Sequence, residues 1–319
     1  MRNAITLHSR LLLASVAYVG AWNTDVHNQI GLMAETFLTP STTSILSQIL
    51  EPQYNGSIGR AAAWADAYAH TAQGRFSYQW HWITTHDSAP STCGLNYTND
   101  CTTGGCVVSA IANQTQILRG CIKDVKKGDL QKGGASNQTC AQALKWVAHF
   151  SGDIAQPLHA SGKLVGGNRF NVSFAGAKTQ LHAVWDGYIP YLAANVSHPF
   201  SNSTLAPFFA GLLERIHKDE FFEAPYLWLT CSDPSTAADC AARWATETNK
   251  WNCDYVYKNL EQGEDVAANG YAKGGVPIVE LQISKAALRL GTWLNKLVES
   301  TGSDSPSQEQ EIVWERTEM

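Results

Sequence analysis

The sequence predicts an all-α fold: a single compact, mainly helical domain with minor β structure, stabilised by disulfides. Apolar residues recur at helical spacing along much of the chain, whereas the alternating pattern of strands is scarce. With 319 residues, 44% of them hydrophobic, the chain can bury a large core. Because no linker rich in Pro, Gly or Ser and no internal repeat divides it, we expect one domain spanning residues 22–300.

The first 21 residues have the features of a secretory signal peptide. A charged start precedes the apolar run 11–19, and the small residues Gly20 and Ala21 follow. Cleavage after Ala21 would make Trp22 the first residue of the mature chain. The apolar run is too short to span a bilayer, and no later segment is long and apolar enough to do so. We therefore expect a secreted, soluble protein with no membrane partner.

Four helices are predicted from apolar periodicity. We expect Thr24 to cap the first helix and His27 to lie in its first turn. Pro157 should end the third helix, so that His159 follows just beyond its end. The predicted helical segments are residues 24–37, 58–69, 140–154 and 282–298.

Three other segments do not fit the helical pattern. A small β-hairpin is expected at residues 77–85 or at residues 170–174. Residues 87–106 are rich in Ser, Thr, Asn and Gly and contain three cysteines, which is typical of a disulfide-pinned loop. Residues 301–319 are polar and mostly acidic, and we expect this tail to be disordered.

Cysteine and asparagine patterns agree with secretion. Eight cysteines, an even number with no CxxC pair, favour disulfides over a thiolate metal site. Cys101 and Cys106 could close a short loop, and Cys93 could tie this region to Cys231, Cys240 or Cys253. Seven Asn-X-Ser/Thr sequons predict N-glycans, at Asn55, Asn96, Asn113, Asn137, Asn171, Asn195 and Asn202.

The formal charge of −5 and the pI near 6.0 limit the classes of function. Most nucleic-acid-binding proteins hold phosphates with a basic surface, which this composition does not provide. A passive nucleic-acid-binding module is therefore disfavoured. An enzyme whose positive charge comes from bound metal ions is compatible with the composition.

Two His-xxx-Asp pairs have the spacing of metal ligands, since residues four apart share one face of a helix. Ordinary His–Asp hydrogen bonds between helical neighbours are the competing explanation for any single pair. Asp66 and His70 share the spacing, and we expect His70 to be an ordinary surface residue. Repetition of the pattern favours a site with several ions. The two pairs are His149 with Asp153, followed by His159, and His182 with Asp186.

Ordered motifs over roughly residues 22–295 resemble the zinc-dependent single-strand nucleases of the S-one/P-one type, within the superfamily that includes bacterial zinc phospholipase C. The motifs are Trp22 with His27, Ala63-Trp64-Ala65-Asp66, Trp80-His81-Trp82-Ile83, residues 149–159, Gly166-Gly167-Asn168, residues 182–186, residues 244–247 and residues 289–295.

The resemblance implies a trinuclear zinc cluster in a cleft. Nitrogen and oxygen ligands suit zinc, and water would fill the open positions. Trp22 would bind through its terminal amine and carbonyl oxygen, which requires removal of the signal peptide. The implied ligand sets are Asp66, His81 and His149 for one ion, His159, His182 and Asp186 for the second, and Trp22, His27 and bridging Asp153 for the third.

The resemblance also implies hydrolysis of single-stranded DNA and RNA to 5′-phosphate products, with 3′-nucleotidase activity. A zinc-activated hydroxide would attack phosphorus, with Asp66 orienting it or accepting its proton. Asn168 resembles a substrate-contacting residue, or else serves a turn after two glycines. Trp82 takes the place of a base-stacking aromatic, or else packs in the core. Thr84 stands where the family often has a base-contacting Asp, and Ala155 replaces a common non-ligand His.

Two alternatives stay open at this point. A zinc phospholipase C can use the same cluster, although that branch usually has Glu at the position of Asp186. A non-catalytic secreted glycoprotein with structural zinc is the second alternative, and a ligand set with room for water argues against it. Single-stranded nucleic acids and 3′-nucleotides are the implied partners, and no stable protein partner is implied.

Overall fold

The computed structural model describes residues 22–130, 135–198, 200 and 205–301. The predicted signal peptide, nearly all of the predicted tail and Asn202 lie outside the described residues. The α-helices are α1 (Thr24–Glu35), α2 (Pro40–Ile49), α3 (Ile58–Ala61), α4 (Trp64–Ala69), α5 (Tyr97–Asp100), α6 (Val107–Lys127), α7 (Ala135–Asp153), α8 (Leu181–Ala183), α9 (Ile189–Ala193), α10 (Leu205–His217), α11 (Ala237–Asn249) and α12 (Tyr271–Ser300).

Shorter elements connect these helices, and among the described residues one antiparallel hairpin is the only sheet. It pairs β1 (Asn171–Phe174) with β2 (Ala177–Gln180). The 3₁₀ segments are Pro52–Tyr54, Arg75–His81, Pro157–His159, Pro225–Leu229 and Pro234–Thr236, and the π-helical segments are Val184–Tyr188 and Asn252–Val256. The prediction of a mainly helical domain with minor β structure is confirmed.

Helix α12 contacts α1, α7, α9 and α10, and α6 packs against both α7 and α11. The core between them is rich in indole rings, and four of the described tryptophans are fully buried: Trp22, Trp185, Trp228 and Trp293. Burial of large aromatic side chains supplies much of the hydrophobic free energy of folding. Helices α1 and α4 both touch α7, so these three helices, which all carry candidate ligands, are held together by this core.

All eight cysteines are paired in disulfides. The short Cys101–Cys106 loop is confirmed, and of the three partners open to Cys93 the structure selects Cys253. The other bonds join Cys121 to Cys140 and Cys231 to Cys240. The Cys93–Cys253 bond anchors the predicted loop 87–106 to the π-helical segment Asn252–Val256.

The first helix begins one residue earlier than expected. The side chain of Asn23, not that of Thr24, accepts a hydrogen bond from the Val26 N–H at 3.0 Å, so Asn23 is the N-cap and Thr24 is the first helical residue. Asn and Thr are both good N-caps, and the extended backbone of Asn23 decides between them. His27 lies in the first turn, as predicted.

One other prediction of local structure needs correction, and the structure decides between the two hairpin candidates. Residues 58–69 form two short helices rather than one, and at the break the Ala62 carbonyl accepts a hydrogen bond from His149 Nδ1 at 2.7 Å. Of the two hairpin candidates, residues 170–174 supply β1, whereas residues 77–85 contain part of a 3₁₀ segment and a single bridge from Ile83 to Ala160.

Most sequon asparagines lie at the surface. Asn55, Asn96, Asn113, Asn171 and Asn195 are exposed, and Asn137 is half-buried. In the part of the chain that is described, no helix has both the length and the apolar character needed to cross a bilayer.

Candidate metal centre

The candidate ligands come from six places in the chain and converge on one buried region. Helix α1 supplies His27, α4 supplies Asp66, and the last turn of α7 supplies His149 and Asp153. A Cβ atom at Gly152 of α7 would lie 2.9 Å from His27 Nδ1, so α1 and α7 approach this closely only because position 152 is glycine. The 3₁₀ segments Arg75–His81 and Pro157–His159 and the helical stretch from α8 into Val184–Tyr188 supply His81, His159, His182 and Asp186.

Five of these residues form a continuous cluster around Asp153. Asp153 Oδ2 lies 3.0 Å from His81 Nδ1 and 3.2 Å from His149 Nε2, and Asp153 Oδ1 lies 3.2 Å from His27 Nε2. Asp66 Oδ1 lies 3.3 Å from His149 Nε2 and 3.5 Å from His81 Nδ1. The carboxylate of Asp153 therefore contacts side chains proposed for two different ions, which fits the bridging role that we expected for it.

A second cluster holds the predicted ligands of another ion. His159 Nε2 lies 3.2 Å from His182 Nε2, which in turn lies 3.3 Å from Asp186 Oδ2. His182 and Asp186 are four residues apart across a π-helical segment, a distortion that is frequent at functional sites. His159 Nδ1 lies 3.8 Å from Asp153 Oδ1, so the two clusters adjoin.

Three of the histidines have a tautomer fixed by backbone carbonyls. A carbonyl oxygen can only accept, so each ring nitrogen that faces one must carry the proton, and the other nitrogen presents a lone pair. The Nδ1 atoms donate to the carbonyls of Ala62 from His149 (2.7 Å), of His81 from His159 (2.7 Å) and of Gly166 from His182 (2.5 Å). The Nε2 lone pairs of His159 and His182 therefore face the cluster, and His149 presents one when its ring is neutral.

In the second cluster, two buried acceptors thus converge with no donor between them. The Nε2 atoms of His159 and His182 are both acceptors, and two acceptors 3.2 Å apart cannot bond to each other. His27 Nε2 and Asp153 Oδ1 are likewise buried without a hydrogen-bond partner. A cation would satisfy all of them, and ligand atoms about 3.3 Å apart correspond to bonds of about 2.0–2.1 Å in a tetrahedral site. The residues therefore fit a metal with nitrogen and oxygen ligands.

The described residues contain three groups that could hold an ion: His27, Asp66 and His149; His81, His149 and Asp153; and His159, His182 and Asp186. The third group is the set predicted for one zinc ion. The first two divide the five-residue cluster differently from the predicted sets, although the predicted trio Asp66, His81 and His149 is also mutually within 3.5 Å. The partition of this cluster between two ions stays a prediction.

Burial and neighbouring charges set the pKa values in the centre. Burial, with the charge of His149, lowers the pKa of His27 to about 4, and burial, with His159, lowers the pKa of His182 to about 3. Burial opposes a charge on His149, but Asp153 and Asp66 together raise its pKa well above 6.5. In the metal-free protein a proton therefore binds between these two carboxylates, so metal binding must release it and will depend on pH.

Trp22 lies against the ligand-bearing elements. Its indole is fully buried and donates a hydrogen bond to the Gly152 carbonyl at 2.9 Å, while the neighbouring Asn23 N–H donates to the Asp186 carbonyl at 3.0 Å. The start of the described chain is thus anchored between α7 and the segment that carries Asp186. A ligand role for the Trp22 amine and carbonyl stays a prediction.

The predicted substrate-contacting residues lie beside the centre. Trp82 is half-buried, directly follows His81, and meets Tyr78 edge-on with ring centroids 5.1 Å apart. Asn168 is also half-buried, and its Nδ2 donates to the Val165 carbonyl at 3.0 Å, which is the turn role considered for it. His70 is exposed, as expected.

Sequence reasoning missed the amides that support the ligands. Gln156 Nε2 donates to Asp186 Oδ1 at 2.7 Å. From the far side, Asn249 donates to the Ala160 carbonyl and Asn252 to the Pro157 carbonyl, both at 2.8 Å. Gln156 lies inside the recognised segment 149–159, which was a usable signal, whereas nothing in the sequence marks the two asparagines.

Comparison with known proteins places this geometry in a family. A model described as S1/P1 Nuclease matches residues 22–299. The chain is similar to Nuclease P1 of Penicillium citrinum (30% identity over 280 residues, 86% of this chain and 97% of the relative) and to Nuclease S1 of Aspergillus oryzae (32% over 291 residues, 89% and 94%). Endonuclease 4 of Arabidopsis thaliana is 28% identical over 301 residues, covering 92% and 95%.

A solved structure of the Clostridium perfringens alpha-toxin matches with a TM-score of 0.43 and 13% identity, over 91% of this chain and 66% of the toxin, a similarity too low to carry an argument. The match to the family model includes every residue of the two clusters. The fold is mainly helical, and buried His and Asp side chains converge in it as that family resemblance implied. This chain belongs to the S1/P1 nuclease family.

Proposed function

We propose that this nuclease is a zinc-dependent endonuclease that cleaves single-stranded DNA and RNA to 5′-phosphate products and also acts as a 3′-nucleotidase. The observation that carries the proposal is the convergence of buried His and Asp side chains into groups that could hold metal ions, next to the half-buried Trp82. Nine residues would hold three zinc ions: Trp22, His27, Asp66, His81, His149, Asp153, His159, His182 and Asp186.

Zinc ions bound there would supply an activated water at ordinary pH and positive charge for the phosphate. Among the proposed ligands Asp66 is the one that is not buried, with 19% of its side chain exposed. An attacking water can therefore reach its carboxylate from solvent. Burial favours the neutral acid, but His149, His81 and His27 hold the pKa of Asp66 below 3.8. Asp66 thus stays ionised and can orient the water and accept its proton.

Trp82 would select unpaired strands. Its backbone is fixed beside the centre, because the Val107 N–H donates to the Trp82 carbonyl at 3.0 Å and the Ile83 N–H donates to the His159 carbonyl at 2.8 Å. A base that stacks on this ring must leave its own stack, which duplex bases do not do without cost. Asn168, in the turn that also binds His182 through Gly166, would contact the substrate as a second point of attachment.

We further propose that residues 1–21 are a signal peptide and that the protein is secreted with N-glycans. Four disulfides support an oxidising compartment. Five sequon asparagines are exposed, so a glycan can be attached without unfolding the domain. We assign residues 22–300 to the catalytic domain and residues 301–319 to a disordered tail.

The decisive experiment combines metal analysis with substrate assays before and after chelation. Three zinc ions per chain are expected, with hydrolysis of single-stranded DNA, RNA and a 3′-nucleotide that chelator abolishes and zinc restores. Chelation should also lower the melting temperature, because metal binding adds to folding stability. Full activity in excess chelator would overturn the zinc mechanism. Hydrolysis of phosphatidylcholine but not of single-stranded DNA would favour the phospholipase alternative, and bound zinc without either activity would favour a structural role.

A further inference from the structure

The side chain of Gln156 contacts both chain segments that carry one candidate metal site. It is fully buried between the end of α7 and the 3₁₀ segment Pro157–His159. Its Nε2 donates to Asp186 Oδ1 at 2.7 Å, and its Oε1 accepts from the Leu158 N–H at 2.5 Å. One amide therefore connects the turn that carries His159 to the carboxylate of Asp186.

This contact gives the two carboxylate oxygens of Asp186 different partners. Oδ1 is engaged by the Gln156 amide, whereas Oδ2 lies 3.3 Å from His182 Nε2 and faces the converging lone pairs. A carboxylate with one oxygen fixed in this way cannot rotate freely, and its other oxygen is presented as a single ligand atom. Hydrogen-bonded partners of this kind orient metal ligands and strengthen metal binding.

We propose that Gln156 is a positioning residue that sets the affinity of the ion held by His159, His182 and Asp186, without touching that ion. This inference rests on the proposed zinc-dependent function. It assigns to Gln156 a selective effect on one of three ions, because within the described part of the chain the hydrogen bonds of its side chain reach Asp186 and Leu158 only.

The turn around Gln156 is also held independently of its side chain. The Asn252 amide donates to the Pro157 carbonyl at 2.8 Å, the Asn249 amide to the Ala160 carbonyl at 2.8 Å, and the Gln282 amide to the Ala155 carbonyl at 2.7 Å. His159 is fixed further by its bond to the His81 carbonyl. Loss of the Gln156 amide should therefore release Asp186 while the turn stays in place.

The test compares Gln156→Met, which removes both hydrogen bonds at similar length, with Gln156→Glu at pH 8, which keeps an acceptor for the Leu158 N–H but loses the donor to Asp186. Gln114→Met is the matched control, because Gln114 is 2% exposed in α6 and no described hydrogen bond joins it to a candidate ligand. Zinc is removed stepwise with a chelator and counted by native mass spectrometry, and the melting temperature of each metal-free protein is measured.

Both Gln156 variants should lose one ion at a chelator strength about 10- to 100-fold lower than the wild type needs, and keep the other two ions at wild-type affinity. The control should match the wild type. Three ions of unchanged affinity in both variants would overturn the inference. Equal weakening of all three ions together with a lower metal-free melting temperature would also overturn it, since that is the result of a purely structural role. A wild-type chain that binds no zinc would instead overturn the proposed function.

Discussion

Replacing Trp82 by alanine should weaken cleavage of single-stranded substrate without removing metal. The chain has a formal charge of −5 and offers ring surface rather than a basic groove. A base stacked on an aromatic side chain contributes about 1–3 kcal/mol. Expressed as a ratio of kcat/KM, this is a loss of roughly 5- to 150-fold. Trp82 is half-buried rather than part of the core, and its described ring contact is the edge-on one with Tyr78 at 5.1 Å. Losing that pair should reduce folding stability by about 0.5–1.5 kcal/mol.

The assay compares kcat/KM of two proteins on two kinds of substrate, in the manner of a double-mutant cycle. Wild type and Trp82→Ala are compared on an oligonucleotide with all its bases and on a series in which single positions are abasic. At the position that stacks on Trp82, removing the base should lower kcat/KM of the wild type by the same factor as the mutation, and should have no further effect on the variant. Trp82→Phe, which keeps a ring, is the matched control and should recover most of the rate.

Two results would refute the stacking argument. If kcat and KM of Trp82→Ala equal those of the wild type on intact oligonucleotides, the ring serves packing alone. If the mutation and every abasic substitution act additively, the ring and the base do not meet. Zinc content must be equal in all variants, because a change in metal occupancy would imply that the substitution disturbs His81.

Three further predictions follow from the centre and its surroundings. A chain that retains Ala21 or any extension before Trp22 should fold and form its disulfides but bind two zinc ions instead of three and lose most activity. The reason is that only a free, deprotonated α-amine can bind zinc. A fully metallated and active extended chain would show that Trp22 is not a ligand. Asp66→Asn should lower kcat by about 10²- to 10⁴-fold, and full activity with full zinc content would reject its role. Burial favours the neutral form of Glu247, but Arg289 and Lys285 lower its pKa below 4.5. The contribution of ionised Glu247 to the free energy of unfolding is therefore complete above pH 4.5 and is lost as pH falls through the lower folded pKa. Glu247→Gln should cost about 2 kcal/mol at pH 7 and flatten the decline in stability at acid pH, and urea titrations with equal acid slopes for both proteins would contradict this.

Sequence reasoning succeeded where chemistry constrains residue type at short spacing. His149 and Asp153, and His182 and Asp186, stood out as candidate ligands because residues four apart share one helical face, and the structure brings both pairs into groups that could hold an ion. Three partners were open to Cys93 from the sequence, and the choice of Cys253 depends on packing that the sequence does not encode locally.

The errors arose where tertiary contacts override local preference. Helix α12 begins at Tyr271, eleven residues before the predicted start at residue 282. The prediction began too late because Gly274, Gly275 and Pro277 are poor helix residues. A Cβ at Gly274 would lie 2.3 Å from Tyr255 Oη, so glycine is required there by the close approach of the two segments. The break after Ala61 follows similarly from the bond between the Ala62 carbonyl and His149.

The hydrogen bonds from Asn249, Asn252 and Gln282 to the turn 155–160 bear on when this turn can form during synthesis of the chain. Every proposed ligand lies between residues 22 and 186, so a growing chain has made all of them long before it makes the three amides that hold this turn. The full set of these hydrogen bonds can form only after the chain has been made through residue 282, within α12. A chain interrupted before residue 249 would therefore carry every proposed ligand without any of the three amides that hold this turn.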